Sequence, residues 1–317
     1  MMSDLGHVLI LAGGLSYERE VSIRSGRRVA EVLRTAGVDV ETRDADATLV
    51  PAVLADPPDA VFVTLHGGAG EDGAIRSVLE LLDVPYVGAT PDACRVAFDK
   101  PTAKAVVRSW GLNTPDSVAL PKETFHDLGA TAVLARIIDR LGLPLFVKPS
   151  RGGSALGASM VRTAEELPAA MVGCFAYGDT ALIERYVQGV EVAVSVVDLG
   201  DGPVALPPVE IVPDRGVYDY AARYTAGQTE FFAPARLSHE ATEACAGMAV
   251  AAHTALGLRD ISRTDLIVDA DGKPYFLEVN VAPGMTETSL LPMAAEAAGR
   301  DLGTLCKGLL ELAAARG

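Results

Sequence analysis

The residues best equipped for chemistry lie together in the stretch from Arg263 to Asn280. Asp265, Glu278 and Asn280 carry carboxylate and amide oxygens, the ligands that a hard cation such as Mg²⁺ prefers. Arg263 adds a permanent positive charge that can hold a further anion beside the cation. The combination predicts a site for a metal ion and a phosphate group. On the residues alone, an ordinary hairpin with one solvated polar face is the alternative.

A β-hairpin is the element that must position these side chains. Two runs rich in β-forming residues, SRTDLIVDA and KPYFLEVNV, flank Asp271-Gly272, a dipeptide that suits a two-residue type I′ turn. Such a turn sets Asp265 opposite Glu278. It also sets Arg263 opposite Asn280, and all four side chains share one face because side chains alternate with period two. The other face is predicted to enter the core through Leu266, Val268, Tyr275, Leu277 and Val279.

The first hundred residues alternate strand-like and helix-like segments, which predicts a parallel sheet with covering helices. Loops after two of these strands carry Glu18 and His66, in the position where ligands usually bind to such sheets. On the residues alone, Glu18 can simply complement a helix dipole and His66 can be an ordinary hydrogen-bonded histidine. Gly13-Gly14 lacks the GxGxxG spacing, so no dinucleotide-binding turn is predicted.

Two lysines and a loop of small residues predict a second anion-binding region. Lys100 begins the helical stretch KPTAKAVVRSWGL, and Lys148 ends the short strand LFVKPS. The loop SRGGSALGAS that follows can offer backbone N–H groups to an anion and close over it, although a flexible connection is the alternative. Glu184 and Glu191 flank a bend between two strands. Further on, a helix beginning near Ser289 offers N–H groups suited to a carboxylate.

Composition narrows the class of protein. The 317 residues carry a formal net charge of −15, which argues against nucleic-acid and anionic-membrane partners. With 49% hydrophobic residues the chain is predicted to fold into a substantial core. The start of the sequence lacks the basic region of a signal peptide, and no apolar run reaches the length of a membrane span. A soluble cytoplasmic protein with buried, unpaired thiols is expected from the spacing of Cys94, Cys174, Cys245 and Cys306.

Six motifs together resemble those of the D-alanine–D-alanine ligases of the ATP-grasp superfamily, in the family's order and at its spacings. They are GGLSYEREVS, LHGGAGEDG, VKPSRGGSALG, YDYAARY, RTD and EVNVAPGMTETSL. The resemblance implies an α/β ATP-grasp fold with three subdomains. These are an N-terminal parallel-sheet substrate domain (1–99), a central subdomain with the lid loop (100–190) and a C-terminal subdomain with the metal site (191–317). It also implies a cytoplasmic homodimer that joins two D-alanines through an acyl phosphate for peptidoglycan precursor synthesis.

The resemblance assigns roles to individual positions. The residues implied to bind ATP are Lys100, Lys148, Glu184, Glu191 and Arg223. Two Mg²⁺ ions, for which Mn²⁺ is an acceptable substitute, are implied to be held by Asp265, Glu278 and Asn280. The catalytic set that it implies is Glu18, Ser154, Tyr224, Arg263 and Gly284. The contacts to the two D-alanines are implied to come from His66, Ser289 and Leu290.

Several positions depart from the family's pattern. Arg223 stands where the family usually has Lys, and a guanidinium does not approach a γ-phosphate as an ammonium does. Glu287-Thr288 replaces residues that are often Ser followed by His or Tyr, which adds a negative charge near the second substrate. Tyr224 favours an amine over a hydroxy acid as that substrate. Gly152 and Ala155 stand in the lid loop where the family commonly has Glu and Ser, and Val281-Ala282 replaces a more polar pair.

Two other functions are compatible with the sequence. An ATP-grasp ligase that makes a different dipeptide or amide fits the altered loop. A nucleotide-binding regulator without catalysis also fits the fold, although every implied metal-ligand position and both phosphate-binding lysines are present.

Overall fold

The computed structural model describes residues 5–214 and 227–317. Three β-sheets organise these residues, the first parallel and the other two antiparallel, with helices packed on them. The mixed α/β architecture agrees with the predicted ATP-grasp fold. None of the helices in the described ranges is both long and apolar enough to cross a membrane. The domain boundaries at residues 99 and 190 stay predictions.

The first sheet has the strand order β2-β1-β3-β4, all parallel. Its strands are β1 (His7–Ala12), β2 (Asp39–Asp44), β3 (Ala60–Val63) and β4 (Tyr86–Val87). The helices that accompany it are α1 (Arg19–Thr35), α2 (Leu49–Ala55), α3 (Gly68–Glu71) and α4 (Ala74–Leu81). Strands β1 and β3 are almost wholly buried, as expected of central strands covered on both faces.

The second sheet has the order β5-β8-β6-β7. Its strands are β5 (Ser117–Pro121), β6 (Leu145–Pro149), β7 (Ser159–Val161) and β8 (Thr180–Arg185). The helices that precede it or pack beside it are α5 (Pro91–Phe98), α6 (Lys100–Ser109), α7 (Lys122–Leu128), α8 (Ala130–Leu141) and α9 (Leu167–Phe175). Helix α6 starts where Asp99 accepts a hydrogen bond from the Thr102 N–H at 3.1 Å, which fixes Lys100 in its first turn.

The third sheet has the order β12-β11-β9-β13-β14, with β10 beside β9. Its strands are β9 (Val190–Val197), β10 (Val204–Ala205), β11 (Val209–Pro213), β12 (Thr229–Phe232), β13 (Ile261–Val268) and β14 (Pro274–Asn280). The helices of this part are α10 (His239–Ala255), α11 (Leu290–Ala297) and α12 (Leu302–Ala314). Strands β8 and β9 follow each other in the chain yet belong to different sheets, so the bend between them joins the two sheets.

The hairpin of β13 and β14 confirms the predicted register at its polar end. Asp265 pairs with Glu278, and Arg263 pairs with Asn280. The predicted two-residue turn is wrong, because Asp269 pairs with Lys273 and Gly272 alone has a positive φ, of 79°. The loop therefore has three residues, a pattern that takes Gly in its last position.

A β-bulge compensates for the extra loop residue. The register shifts between Asp265 and Leu266, so that Leu266 faces Phe276 and Leu277 is the additional residue. Phe276 is therefore fully buried in the core. The prediction that Tyr275 and Leu277 enter the core is wrong, because both are half-buried and Leu277 lines a cavity.

The last helix of the chain completes the core of the first sheet. Leu309 and Leu310 of α12 belong to one apolar cluster with Val8, Ile10 and Phe62 of the first sheet. The four cysteines are buried and unpaired, as predicted. The first and third sheets thus share a continuous core.

A buried ion pair links the same two sheets. Asp260, which precedes β13, is 1% exposed and accepts hydrogen bonds from the Arg316 guanidinium at 2.7 Å through both oxygens. Its Oδ2 also accepts from the Gly88 N–H at 2.7 Å, just after β4. The buried charge of Asp260 is therefore stabilised by groups that come from distant parts of the chain.

Replacing Arg316 by Ala should lower the free energy of unfolding by about 3 kcal/mol, because the Asp260 charge would stay buried without its cation. Urea-induced unfolding of the purified variant measures the change. The exposed Arg300→Ala is the matched control and should shift the free energy by less than about 0.5 kcal/mol. Equal effects of the two substitutions would contradict the role given to Asp260.

Candidate active site

Two adjoining cavities contain every predicted site residue in the described part of the chain. The first cavity, of about 370 Å³, lies between the second and third sheets. The second cavity, of about 470 Å³, lies where α1 and the loop after β3 approach the polar end of the β13–β14 hairpin. The two share Lys100, Gly152, Gly153 and Glu278.

The predicted residues divide between the cavities by their expected roles. Those predicted to bind ATP line the first cavity, namely Lys100, Lys148, Glu184 and Glu191. Those predicted for catalysis or substrate contact line the second, namely Glu18, His66, Ser154, Arg263, Gly284, Ser289 and Leu290. The metal set is divided, because Asp265 lines the first, Asn280 the second and Glu278 both. Arg223 and Tyr224 lie outside the described residues, and their roles stay predictions.

A buried group of three charges forms one wall of the first cavity. Glu184 is 2% exposed, and its carboxylate lies 2.5 Å from the Lys104 ammonium and 3.0 Å from that of Lys148. Burial opposes charge on Lys148, but the Glu184, Glu278 and Asp265 carboxylates together outweigh it and raise the pKa of Lys148. Burial lowers the pKa of Lys104 to about 8. Lys148 is therefore cationic at neutral pH and suited to binding a phosphate group.

Lys104 lines neither cavity but holds Glu184 in the wall of the first, and the sequence analysis did not identify it. It also donates hydrogen bonds to the Thr114 hydroxyl at 2.7 Å and to the Phe276 carbonyl at 3.2 Å. The available signal was its spacing, because a residue four positions after Lys100 on one helix faces the same side.

The hairpin carboxylates meet cations at the boundary of the two cavities. Arg263 donates to both oxygens of Asp265, at 2.7 and 2.8 Å. The Lys100 ammonium lies 3.4 Å from Glu278 and donates to the Gly152 carbonyl at 2.7 Å. This convergence of carboxylates and cations is the arrangement expected of a phosphoryl-transfer site.

The donor set at this boundary fits Mg²⁺. Asp265 and Glu278 are directly paired across the hairpin, and Asn280 follows on the same face. In the described ranges, no group of three or more His, Cys, Asp or Glu side chains is placed to hold a metal. Two carboxylates and an amide suit Mg²⁺ because that ion is usually held by one or two carboxylates together with the phosphates of a substrate.

The lid loop contacts the N-terminal part of the chain through one short hydrogen bond. The Ser154 hydroxyl donates to the Glu18 carboxylate. Glu18 stands at the N-cap position of α1, and its carboxylate makes no capping hydrogen bond to that helix. A Cβ at Gly67 would lie 2.4 Å from the Glu18 carboxylate, and the φ of +63° there also favours glycine. The backbone is thus shaped around this carboxylate.

His66 joins three segments at the floor of the second cavity. Its Nδ1 lies 2.9 Å from the Ala282 carbonyl, which can only accept, so Nδ1 carries the proton. Its Nε2 then accepts from the Ser25 hydroxyl at 3.0 Å, and the Ser25 oxygen accepts from the Met285 N–H at 3.1 Å. Burial lowers the pKa of His66, which keeps the imidazole neutral.

Ser289 stands at the N-terminus of α11, as predicted. Its hydroxyl oxygen accepts from the Thr286 N–H at 3.0 Å and lies 2.8 Å from the Thr286 hydroxyl. A Cβ at Gly284 would lie 2.6 Å from that same oxygen. A side chain at position 284 would therefore displace the Ser289 hydroxyl, which the loop presents to the cavity together with the helix N-terminus.

Glu71 is a second residue that the sequence reasoning missed. It lies in LHGGAGEDG, lines the second cavity and accepts from the Gly67 N–H at 3.0 Å. Burial, followed by the nearby Glu18 charge, raises its pKa to about 7. Its position five residues after His66 in the same motif was the only sequence signal.

Comparison with known proteins decides the family. Residues 106–311 match the sequence profile described as D-ala D-ala ligase C-terminus, and residues 42–89 match the profile described as D-ala D-ala ligase N-terminus. The chain belongs to the D-alanine–D-alanine ligase family. The D-alanine–D-alanine ligase of Anaeromyxobacter sp. (strain K) is 41% identical over 307 residues, which cover 97% of this chain and 96% of the relative. That of Pelotomaculum thermopropionicum is 40% identical, covering 96% and 95% of the two chains.

Solved structures of family members have the same fold. The D-alanine–D-alanine ligase from Bacillus anthracis complexed with ATP superposes with a TM-score of 0.80 at 30% identity, covering 98% of this chain and 97% of the other. The VanG D-Ala:D-Ser ligase from Enterococcus faecalis gives a TM-score of 0.83 at 27% identity, covering 97% and 99%. The recognition of this D-alanine–D-alanine ligase family from sequence, and the predicted fold, are therefore confirmed.

Replacing Glu71 by Gln should change how stability depends on pH. Between its ordinary pKa of 4.5 and about 7, the folded protein holds a proton that the unfolded chain has lost. The Glu71 contribution to stability is therefore present below this window and is lost as pH rises through it. From about pH 5 to about pH 8, the variant should gain up to about 3 kcal/mol of unfolding free energy relative to the parent protein.

Denaturant unfolding at both pH values measures this difference, and the exposed Glu123→Gln is the control, with no pH-dependent gain expected. A Glu71→Gln effect that is the same at both pH values would mean that Glu71 is ionised throughout the range.

Proposed function

We propose that the protein joins two D-alanines to D-alanyl-D-alanine, with cleavage of ATP to ADP and phosphate, for peptidoglycan precursor synthesis. The observation that carries the proposal is that Glu278 lines both cavities and faces Asp265 across the hairpin. A phosphate group bound at Glu278 would lie in the first cavity, at its border with the second. A carboxylate in the second cavity therefore lies within reach of a nucleotide in the first.

ATP occupies the first cavity. Lys148 and Lys100 face its phosphates, because both ammonium groups line the cavity and both lie against carboxylates that hold them in place. Glu191 is assigned to the ribose end. Glu184 is assigned to the adenine end. Its carboxylate lies 3.0 Å from the Lys148 ammonium and fixes that group.

Asp265, Glu278 and Asn280 are the residues that would hold Mg²⁺ with the phosphate oxygens. When bound, Mg²⁺ supplies charge neutralisation for the transferring phosphoryl group. The Asn280 side-chain oxygen accepts from the Ala282 N–H at 2.8 Å, which fixes its orientation toward the hairpin. Mn²⁺ is expected to substitute because it favours the same oxygen ligands.

The first D-alanine binds with its ammonium at Glu18 and its carboxylate toward the γ-phosphate. A carboxylate oxygen attacks the γ-phosphorus, and the bond to the bridging oxygen of ADP breaks. The products of this step are an acyl phosphate and ADP. Ser154 holds the Glu18 carboxylate and so ties the lid loop over the reacting groups, and Tyr224 is assigned to the same set. A closed lid excludes the water that would otherwise hydrolyse the acyl phosphate.

The second D-alanine binds at the N-terminus of α11, with its carboxylate at Ser289 and the Leu290 N–H. Its neutral amine attacks the activated carbonyl. Arg263 and the Gly284 N–H are assigned to stabilise the oxyanion that forms. Loss of inorganic phosphate and of the amine proton then leaves the dipeptide. Neutral His66 orients the surrounding loop and carries no proton away, in keeping with its lowered pKa.

The proposal is tested by incubating the purified protein with ATP and Mg²⁺. The readouts are ADP release and mass analysis of the product. D-Alanine, L-alanine, D-serine and D-lactate are compared as substrates. Release that depends on D-alanine, with D-alanyl-D-alanine formed, is the expected result. Tight ATP binding without D-alanine-dependent ADP release would overturn the proposal and favour a different amide ligase or a regulator. A homodimer is expected by light scattering and stays a prediction.

Asp265→Asn and Glu278→Gln should each abolish D-alanine-dependent ADP release, because each removes a carboxylate from the proposed Mg²⁺ site. Both variants should stay folded, and Asp265→Asn should also lower the thermal midpoint, because it leaves the buried Arg263 guanidinium without the carboxylate that accepts from it. Asp271→Asn, on the exposed loop of the same hairpin, is the control and should leave activity unchanged. Near-normal activity of both site variants would remove the metal assignment.

A further inference from the structure

The charges that line the second cavity are unevenly distributed. Its acidic lining residues are Glu18, Glu71 and Glu278, and its lysine and arginine residues are Arg24, Lys100 and Arg263. Lys100 lies 3.4 Å from Glu278, and Arg263 is bound to both oxygens of Asp265. Two of the three cations therefore face carboxylates of the proposed metal set, away from the Ser289 end of the cavity.

Arg24 differs from the other two cations in its position and its partner. It projects from α1 on the opposite wall, and its guanidinium lies 3.8 Å from the Glu287 carboxylate. The two side chains are 55% and 71% exposed, so water competes with the contact. Glu287 is only two residues before Ser289. Arg24 is thus a lining cation beside the proposed subsite for the second carboxylate.

We propose that Arg24 is the counter-ion of the second amino acid's carboxylate, and that Glu287 holds its guanidinium until that carboxylate binds. The proposal rests on the proposed function and identifies the residue by which the second subsite recognises an amino acid with a free carboxylate. Arg24 is then a substrate-binding residue, and Glu287 is a positioning residue that acts through it.

The exchange of one carboxylate for another is energetically feasible. Exposed ion pairs contribute little to stability, because both groups remain largely hydrated and the side chains lose entropy. The substrate carboxylate gains hydrogen bonds from the Ser289 hydroxyl and the Leu290 N–H in addition to the guanidinium. Glu287 is exposed and can return to solvent at little cost.

The geometry between α1 and the loop before α11 is fixed independently of this ion pair. The Met285 N–H donates to the Ser25 hydroxyl at 3.1 Å, and Ser25 is the neighbour of Arg24 on α1. His66 lies 2.9 Å from the Ala282 carbonyl and holds the beginning of the same loop. Breaking the contact between Arg24 and Glu287 therefore leaves the subsite in place.

The proposal also explains the acidic residue at position 287. A lone carboxylate beside the subsite would repel the second substrate, whose carboxylate also faces a cavity that contains three acidic side chains. Before the second substrate binds, the Arg24 guanidinium balances the charge of Glu287. Glu287 then orients the cation and does not exclude the anion.

The test is a competition between two acceptors in one reaction, D-alanine and D-alaninamide, of which only the first has a carboxylate. The ratio of D-alanyl-D-alanine to D-alanyl-D-alaninamide, measured by mass analysis, reports the preference of the second subsite. Arg24→Gln should lower this ratio about tenfold by slowing formation of the acid product alone. Arg27→Gln, one turn further along α1 and exposed, is the matched control and should keep the parent ratio.

Glu287→Gln separates the two roles. The variant keeps Arg24 and removes its competitor, so the ratio should rise above the parent value, and a lower ratio would overturn the role given to Glu287. An unchanged ratio in Arg24→Gln, or an equal loss of both products, would overturn the proposal. Failure of the parent protein to release ADP with D-alanine would instead overturn the proposed function, so the two failures are distinguishable.

Discussion

The buried carboxylate of Glu184 is the interaction on which the nucleotide cavity depends. It connects β8 to α6 through Lys104 and to β6 through Lys148, and Lys104 continues the link to β14 at Phe276. Removing Glu184 would leave two buried lysines without their counter-charge, a far larger cost than the loss of a surface pair. The wall that faces the nucleotide is therefore held by charge as much as by apolar packing.

Local sequence patterns predicted the chemistry of the hairpin better than its shape. Alternation with period two placed the four polar side chains on one face, because that periodicity is a property of the strand itself. The pairing of Asp265 with Glu278 was predicted from a two-residue turn, and it is correct only because the bulge at Leu277 offsets the three-residue loop. The loop and the bulge depend on contacts with other segments. The Phe276 N–H donates to the Asn113 carbonyl at 2.8 Å, while the Phe276 carbonyl accepts from Lys104. Nothing within the two strands specifies partners that lie more than 150 residues away along the chain.

The same reasoning separates the site residues found from sequence from those that were missed. Glu18, Ser154 and Ser289 stand in motifs whose spacing is recognisable, and the structure gathers them in one cavity. Arg24 and Lys104 stand in helices where a charged residue is ordinarily a solvated one. The spacing from Lys100 predicts only which side of α6 Lys104 faces. The partners of Arg24 and Lys104 come from other segments of the fold, and their identity could not be predicted from a single sequence.

The packing of α12 on the first sheet has a consequence for how the protein is made. Leu309 and Leu310 are far along the chain from Val8 and Phe62, yet all four share one core. One face of the first sheet therefore stays exposed to solvent until α12 has been synthesised and has packed on it. Such long-range closure slows folding and prolongs the exposure of apolar strands.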